Sequence, residues 1–427
     1  MAQMKPQKAR LANGLRVISV TIPSLKSVTV TVWVKTGSRF EDKKVNGISH
    51  FLEHMVFKGS KKRPSAHDIS EAVDALGGEF NAGTSKEWTN FYIKARAENV
   101  DTAFDVLSDM VLSPLLEKEE IEKEKGVIVE EIAMHEDTPI MKIGDVFEEL
   151  IFTGNSLAWD ISGTVKSVRS VRREDFVAYR DKHYYPENIL ITVSGGVGKA
   201  KVEALAERYF GRLSSGKKQI KPKSFLSKQK KPGVMLYAKK KEQAHFILGF
   251  VGNPRGHPDR FAEGVLASIL GGGMSSRLFS EVREKRGLAY AVITNNERYI
   301  DTGYLSTYVG ADVKRIDEAV KVTLDQHYGI AAGKLAISQA ELSKAKEYLK
   351  GHLALALEDT KDVNTFFGER ELFLGKVETP EEVFSKIDKI EIEDVLRVAK
   401  KIFVPQKLNL AIIGPYKNQE RFEKLLV

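Results

Sequence analysis

Cysteine is absent from this chain of 427 residues. Its absence excludes a disulfide framework, a thiolate metal site and a cysteine nucleophile. It is typical of a protein from a reducing compartment, so we expect a cytoplasmic location. No apolar run approaches the length of a membrane span, and the first residues, MAQMKPQKARLANG, lack the apolar segment of a secretory signal. We therefore expect no membrane partner.

Acidic residues are too few to balance the basic ones, which leaves a formal net charge of +8. Part of the surplus lies in the lysine-rich stretch GKKQIKPKSFLSKQKKPG at residues 216–233. This stretch lacks apolar periodicity and the interleaved aromatic residues of a nucleic-acid-binding surface. We interpret it as a solvated linker and expect no nucleic-acid partner.

The sequences on either side of this linker resemble each other. EDFVAYRDKHYYPENILITVSG at residues 174–195 matches EDVLRVAKKIFVPQKLNLAIIG at residues 393–414, with the prolines and the closing glycines at one offset. A repeat of this length indicates one structural unit that occurs twice. We predict an N-terminal domain at 1–213 with the candidate metal site, a linker at 214–232 and a C-terminal domain at 233–427.

Both halves mix strand and helix patterns in the same order. SVTVTVWVKTG (27–37) alternates apolar and polar residues like a half-buried strand, and AHFILGFVGNP (244–254) is its counterpart. Each is followed by an apolar helical segment and then by a strand pair with a polar turn. The sequence predicts an α+β fold of two duplicated αβ domains, each a mixed or antiparallel sheet packed with helices.

The first apolar helix carries an unusual polar set in ISHFLEHMVFKG, residues 48–59. His50 and His54 are four residues apart and therefore project from one helical face, where two imidazoles can bind one Zn²⁺. The order H-x-x-E-H is a metallopeptidase signature, in which Glu53 is the base that deprotonates a water molecule. The alternative is that both histidines simply pack in a helix interface.

The second half argues against mere packing. The segment that matches HFLEH there has no histidine and no glutamate, and Leu353 stands where the first half has Glu131. The helices can therefore pack in this architecture without the polar set, which indicates that the set serves chemistry.

A third ligand is expected on the helical pattern EIEKEKGVIVEEIAMHE. Glu124 and Glu131 are seven residues apart and share one face, so Glu131 can be the ligand and Glu124 can accept the free N–H of a ligating histidine. The alternative for Glu124 and Glu130 is a solvated acidic face, and we prefer this interpretation for Glu130. His135 lies one turn beyond Glu131 and either reaches the site or serves as a cation at the helix C-terminus.

At this point the sequence resembles the pitrilysin/insulinase family of zinc metallopeptidases. The likeness extends from His50-Phe-Leu-Glu53-His54 and Glu131 to GGEFNAGTSKEWTNFY and HYYPENILITVSG, and it is greatest to the mitochondrial processing peptidase branch with its small bacterial and archaeal relatives. The resemblance implies one zinc per chain bound by His50, His54 and Glu131. It also implies Glu53 as general base, Glu124 as a supporting carboxylate, and a chain that forms half of a clamshell.

The resemblance extends to two further groups. Arg283 and Tyr290, spaced R-x₆-Y in the second half, would hold the scissile carbonyl and its oxyanion, a role for which Arg286 is a competitor. A substrate peptide would add as a strand along Asn81, Ala82, Gly83 and Thr84. The alternatives are strand packing for Tyr290 and an ordinary hairpin end for NAGTS. GGGM (271–274) lacks the Lys-Ser/Thr of a phosphate-binding loop.

The sequence thus predicts a zinc-dependent metallopeptidase that hydrolyses peptides or unfolded polypeptides inside a closed chamber. Since two such halves make one half-shell of the larger enzymes of this family, the resemblance implies that the chain pairs as a homodimer or with a related chain. The alternative is a non-catalytic scaffold or substrate-presenting subunit of the same fold, or the partner of an active chain in a heterodimeric peptidase.

Overall fold

The computed structural model describes residues 4–214, 220–240 and 242–426. Residues 215–219 of the predicted linker lie outside the described residues, and 220–232 contain neither helix nor strand. The described residues form two compact units, each built on one sheet. No described helix combines the length and apolar character that are needed to cross a membrane.

The first unit contains a six-stranded sheet, counted over the described residues. Its strands in spatial order are β1 (Gln7–Arg10), β2 (Arg16–Thr21), β6 (Ile189–Gly195), β3 (Ser27–Val34), β5 (Thr89–Arg96) and β4 (Glu79–Thr84). β2 and β6 are parallel and all other neighbours are antiparallel. β4 therefore lies at one edge, with β5 as its neighbour.

The second unit repeats this order in a sheet of five described strands. They are β7 (Gly233–Ala238), β11 (Leu408–Gly414), β8 (Gln243–Gly252), β10 (Gly303–Asp312) and β9 (Ala289–Arg298). Here β7 and β11 are parallel, as β2 and β6 are in the first sheet, and the other pairs are antiparallel; β1 has no counterpart among the described strands. The shared topology confirms the predicted fold class of two αβ units. The half-clamshell arrangement stays a prediction.

Helices cover both sheets. The first unit contains α1 (Ile48–Val56), α2 (Ala66–Asp74), α3 (Val100–Leu112), most of α4 (Lys118–Asp137), α6 (Val165–Ser170), α7 (Arg173–His183), α8 (Lys199–Phe210) and α12 (Thr360–Leu374). The second contains α5 (Pro139–Ile151), α9 (Arg260–Gly271), α10 (Ile316–Ala331), most of α11 (Gln339–Ala356), α13 (Pro380–Asp388), α14 (Ile392–Ile402) and α15 (Gln419–Glu423).

The compact units are not consecutive stretches of chain. α12, from the second half of the sequence, packs on β6 and β3 of the first unit, and α5, from the first half, packs on β11 and β8 of the second. On α12, the Asn364 amide donates to the main-chain oxygens of Thr29 (2.9 Å) and Thr192 (3.1 Å). The predicted boundaries near residues 213 and 233 remain a prediction.

Candidate metal centre

Helix α1 begins at a point that only glycine fits well. Gly47 precedes it with φ of 95°, and a Cβ there would lie 2.5 Å from the Ser162 carbonyl oxygen. The buried Glu41 carboxylate caps the helix by accepting from the main-chain N–H of Gly47 (2.7 Å) and of Ser49 (2.8 Å), and from the Asn46 amide (2.9 Å). Burial raises the pKa of the Glu41 carboxyl above its ordinary value. The start of α1 is thus fixed by a side chain from outside the helix.

The apolar face of α1 sets its rotation. Phe51 and Met55 are fully buried in one cluster with Ile121 and Ile128 of α4. Because these four side chains pack against each other, the histidines of α1 and the glutamates of α4 project from the same pair of packed helices. A repeating apolar pattern on two helices therefore positions the polar set.

The three predicted metal ligands converge. His50 Nε2 and His54 Nε2 are 3.3 Å apart, and the Glu131 carboxylate oxygens lie 3.7 Å from the first nitrogen and 3.6 Å from the second. One ligand atom from each of the three residues lies within 4.8 Å of the other two. The three atoms form a triangle of two nitrogens and one oxygen.

This donor set fits a zinc ion. Two nitrogens at about 2.05 Å from one tetrahedral zinc lie about 3.3 Å apart, which is the separation of the two imidazoles here. Glu131 Oε2 is buried without a hydrogen-bond partner among the described residues, so its lone pairs are available. Burial and the neighbouring His54 lower the pKa of His50 to about 4, which keeps that imidazole neutral and able to bind a metal at neutral pH.

Glu124 supports the second imidazole. His54 Nδ1 donates to Glu124 Oε1 at 2.8 Å, and this hydrogen bond fixes the tautomer that leaves Nε2 with a lone pair. Lys58, which the sequence did not single out, contacts the other oxygen of Glu124 at 2.6 Å. Burial disfavours the charged Glu124, but the hydrogen bonds of His54 and Lys58 outweigh it and lower the pKa of this carboxyl.

Glu53 lies on the same helix and is held by a hydroxyl group. The Thr84 hydroxyl donates to Glu53 Oε2 at 2.5 Å. Burial raises the pKa of the Glu53 carboxyl, against the opposing effect of this hydrogen bond. A carboxyl with a raised pKa is better suited to accept and return a proton near neutral pH.

The predicted substrate strand is β4. Asn81, Ala82 and Gly83 precede Thr84 at the edge of the first unit's sheet, where one side of the strand has no neighbouring strand among the described residues. The Asn81 side chain accepts from the main-chain N–H of Ala82 at 2.8 Å. The sequence singled out Thr84 for its backbone, whereas the structure shows a side-chain bond to Glu53.

Arg283 and Tyr290 belong to the second unit. Arg283 lies exposed in a π-helical turn (Phe279–Glu284) with its guanidinium 4.8 Å from the Phe279 ring centroid, and no described carboxylate pairs with it. Its competitor Arg286 forms an ion pair with Glu281. Tyr290 is 72% exposed on β9. Of the two arginines, Arg283 is therefore the one with an unpaired cation.

The remaining polar candidates of α4 lie outside the ligand group. Glu130 is exposed, as expected for a solvated acidic face. His135 Nδ1 lies 3.2 Å from the carboxylate of Asp145 within the second unit. Glu41 was not predicted, because a capping residue that lies seven positions before the first residue of the helix leaves no periodic signal.

Two family models match the chain. The model described as insulinase (peptidase family M16) matches residues 16–164, and the one described as peptidase M16 inactive domain matches residues 170–349. The boundary between the two matches separates the half that carries His50, Glu53, His54 and Glu131 from the half that lacks their equivalents.

Similar curated proteins are named as zinc proteases. An uncharacterized zinc protease of Streptomyces coelicolor is 36% identical over 97% of this chain and 90% of its own length. The uncharacterized zinc protease YmxG of Bacillus subtilis is also 36% identical, over 95% of this chain and 97% of its own length.

Solved structures share the fold. A protease from Helicobacter pylori is 25% identical with a TM-score of 0.89 and covers 97% of this chain and 100% of its own. A peptidase M16 inactive domain from Pseudomonas fluorescens is 20% identical with a TM-score of 0.89, over 97% of this chain and 99% of its own, and shows the fold alone.

Proposed function

Because the chain belongs to the insulinase family of peptidases, family M16, we propose that it is a zinc metallopeptidase with the active site on α1 and α4. His50, His54 and Glu131 would hold one zinc ion. The observation that carries the proposal is the 3.3 Å separation of the two Nε2 atoms beside the Glu131 carboxylate, whose Oε2 accepts no hydrogen bond from any described residue. When bound, zinc is a Lewis acid that makes a water molecule acidic near neutral pH.

The chain's own residues supply the proton transfers. Glu53 accepts a proton from the attacking water and returns one to the amine that leaves when the peptide bond breaks. Its burial and its raised pKa support both roles. Glu124 keeps His54 in the required tautomer.

The second unit would supply charge stabilisation. The exposed guanidinium of Arg283, which pairs with no carboxylate in the described part of the chain, and the exposed phenol of Tyr290 are suited to a peptide carbonyl whose oxygen becomes negative. A fixed cation and a hydroxyl donor stabilise the charge that develops in the transition state. Their loss would therefore lower kcat more than it would weaken substrate binding.

The substrate would be a peptide or an unfolded polypeptide in extended conformation. Strand β4 offers an open edge, to which main-chain hydrogen bonds bind a further strand without much sequence preference. We also propose that two chains, identical or related, pair to enclose the site in a chamber.

Zinc content, solution mass and peptide turnover of the purified chain test the function. We expect one zinc per chain, a mass of two chains, and hydrolysis of a fluorogenic peptide that a chelator abolishes. Glu53→Gln should keep zinc and lose about 10²- to 10⁴-fold in turnover. His54→Ala should lose the metal. Glu130→Gln, an exposed neighbour of a ligand, is the matched control and should behave like the wild type.

Two results would contradict the proposal. Turnover like that of the wild type in Glu53→Gln would remove Glu53 as the base. Stoichiometric zinc in the wild type without hydrolysis of any peptide would favour the non-catalytic scaffold instead.

A further inference from the structure

The last residue of edge strand β4 contacts the carboxylate that we propose as the base. Thr84 is half-buried, and its hydroxyl donates to Glu53 Oε2 at 2.5 Å. This is the one hydrogen bond that the Glu53 side chain makes within the described residues. Because a threonine hydroxyl has a single proton, it occupies one carboxylate oxygen, and Oε1 has no hydrogen-bond partner in the part of the chain that the structure describes.

The main chain around Thr84 is tightly held. The next residue, Ser85, accepts from the main-chain N–H of Ser38 and donates to Trp88 O at 2.8 Å, while Arg39 N donates to Lys86 O at 2.9 Å. Gly37 makes this approach possible, since a Cβ there would lie 2.1 Å from the Ser85 carbonyl oxygen.

A buried ion pair completes this frame. The Arg39 guanidinium and the Glu87 carboxylate are 2.6 Å apart, with side chains 0% and 1% exposed. A pair so deeply desolvated tolerates little movement, because separation would leave two uncompensated charges. The turn after β4 is thereby fixed, and the β-branched Thr84 side chain has few rotamers in which to move.

We propose that Thr84 is a positioning residue that orients Glu53. Its hydroxyl fixes the carboxylate through Oε2 and directs the proton of the attacking water to Oε1. A protonated Oε1 leaves Oε2 able to keep accepting the same hydrogen bond, so the orientation survives the transfer. The Thr84 side chain thus aligns the strand that would bind the substrate with the Glu53 carboxylate that would accept the proton. This inference rests on the proposed peptidase function.

Replacement of the hydroxyl by a methyl group tests the inference. Thr84→Val keeps the β-branched shape and removes the donor, whereas Thr84→Ser keeps the donor. We expect kcat of Thr84→Val to fall about 10- to 100-fold, the range for loss of a hydrogen bond to a charged group. KM and zinc content should stay within about twofold of the wild type, and Thr84→Ser should regain most of kcat.

Thr21→Val is the matched control. It removes the hydroxyl that donates to Val197 O at 3.0 Å on β2, another strand of the same sheet, and should leave kcat unchanged. An unchanged kcat in Thr84→Val would overturn the inference. So would a loss that comes with a loss of zinc or a raised KM and that serine does not restore, because strand β4 would then need the side chain only for its structure.

A crystallographic comparison separates this inference from the proposed function. In Thr84→Val we expect the Glu53 carboxylate to leave the orientation that it has in the wild type. If Glu53 keeps that orientation, the inference fails even in a protein with full peptidase activity. If the wild type hydrolyses no peptide, the proposed function fails, and the displaced carboxylate would still establish Thr84 as its positioning residue.

Discussion

Replacing the Glu41 carboxylate by an amide should loosen the start of α1. The carboxylate accepts three hydrogen bonds from N–H groups, two at Oε2 and one at Oε1, and the Ser49 hydroxyl is a further neighbour. A glutamine has one acceptor oxygen, so its NH₂ group must face a donor. The less costly orientation keeps the bonds from Gly47 and Asn46 and turns the NH₂ group toward the N–H of Ser49.

The cost follows from this geometry. Glu41→Gln loses one hydrogen bond to a charged group and leaves one buried donor unsatisfied, for about 1.5–3 kcal/mol. A neutral amide is easier to bury than a carboxylate, which offsets part of the loss and favours the lower end, about 1.5–2 kcal/mol. At about 1.4 kcal/mol per factor of ten, the amides of α1 should exchange with solvent about 10- to 30-fold faster.

Native-state hydrogen exchange of the zinc-free protein measures this effect. Peptides that cover 48–56 should exchange faster in Glu41→Gln, whereas peptides that cover α2 (66–74) should not change. Asp42→Asn changes an exposed neighbour and serves as the control. Equal exchange of α1 in wild type and variant would refute the reasoning. Faster exchange throughout the sheet would refute it too, because Glu41 would then support the whole unit and not the helix start.

Two further predictions concern the metal and the response to acid. Glu124→Gln should weaken zinc binding about 10- to 100-fold in a chelator competition, because the amide has no negative charge and offers one acceptor oxygen to two donors, His54 and Lys58. Glu120→Gln, one turn earlier on α4, should not weaken it, and equal affinities of Glu124→Gln and the wild type would contradict the role. Burial lowers the pKa of His327 from 6.5 to about 4. Between these two pH values the unfolded chain binds a proton at this imidazole and the folded chain does not. The free energy of unfolding therefore falls as the pH falls through this range, by up to about 1.4 kcal/mol per pH unit. His327→Gln should therefore show a smaller drop of the second unit's melting temperature on acidification, and an unchanged drop would exclude this histidine as a cause.

Local patterns predicted the elements of this fold well. The alternating stretch 27–37 contains β3, and the stretch 393–414 contains most of α14, a short turn and β11. These predictions succeeded because a strand or helix that buries one face must repeat apolar residues with its own period. The helical spacing of His50 and His54 likewise sufficed to place both imidazoles together.

Other features depend on contacts that no local pattern contains. Helices α5 and α12 each pack on the sheet of the other half of the sequence, and such a long-range contact leaves no periodic signal in the helix itself. The bond between Thr84 and Glu53 joins residues 31 positions apart, on an edge strand and a helix. Neither the alternation of residues along β4 nor the helical period of α1 predicts that these two side chains contact each other.

The exchanged helix α12 also sets the time at which the candidate metal centre can be completed during protein synthesis. The sheet beneath the site buries Trp33, Thr29 and Thr192 on the face that α12 covers, and α12 lies at residues 360–374 of 427. A nascent chain with only its first half outside the ribosome therefore contains the metal ligands but lacks α12, the helix that covers the sheet beneath them. At about 5–20 residues per second, the second half takes a further 10–40 seconds, roughly. Peptidase activity would thus mature only near the end of translation.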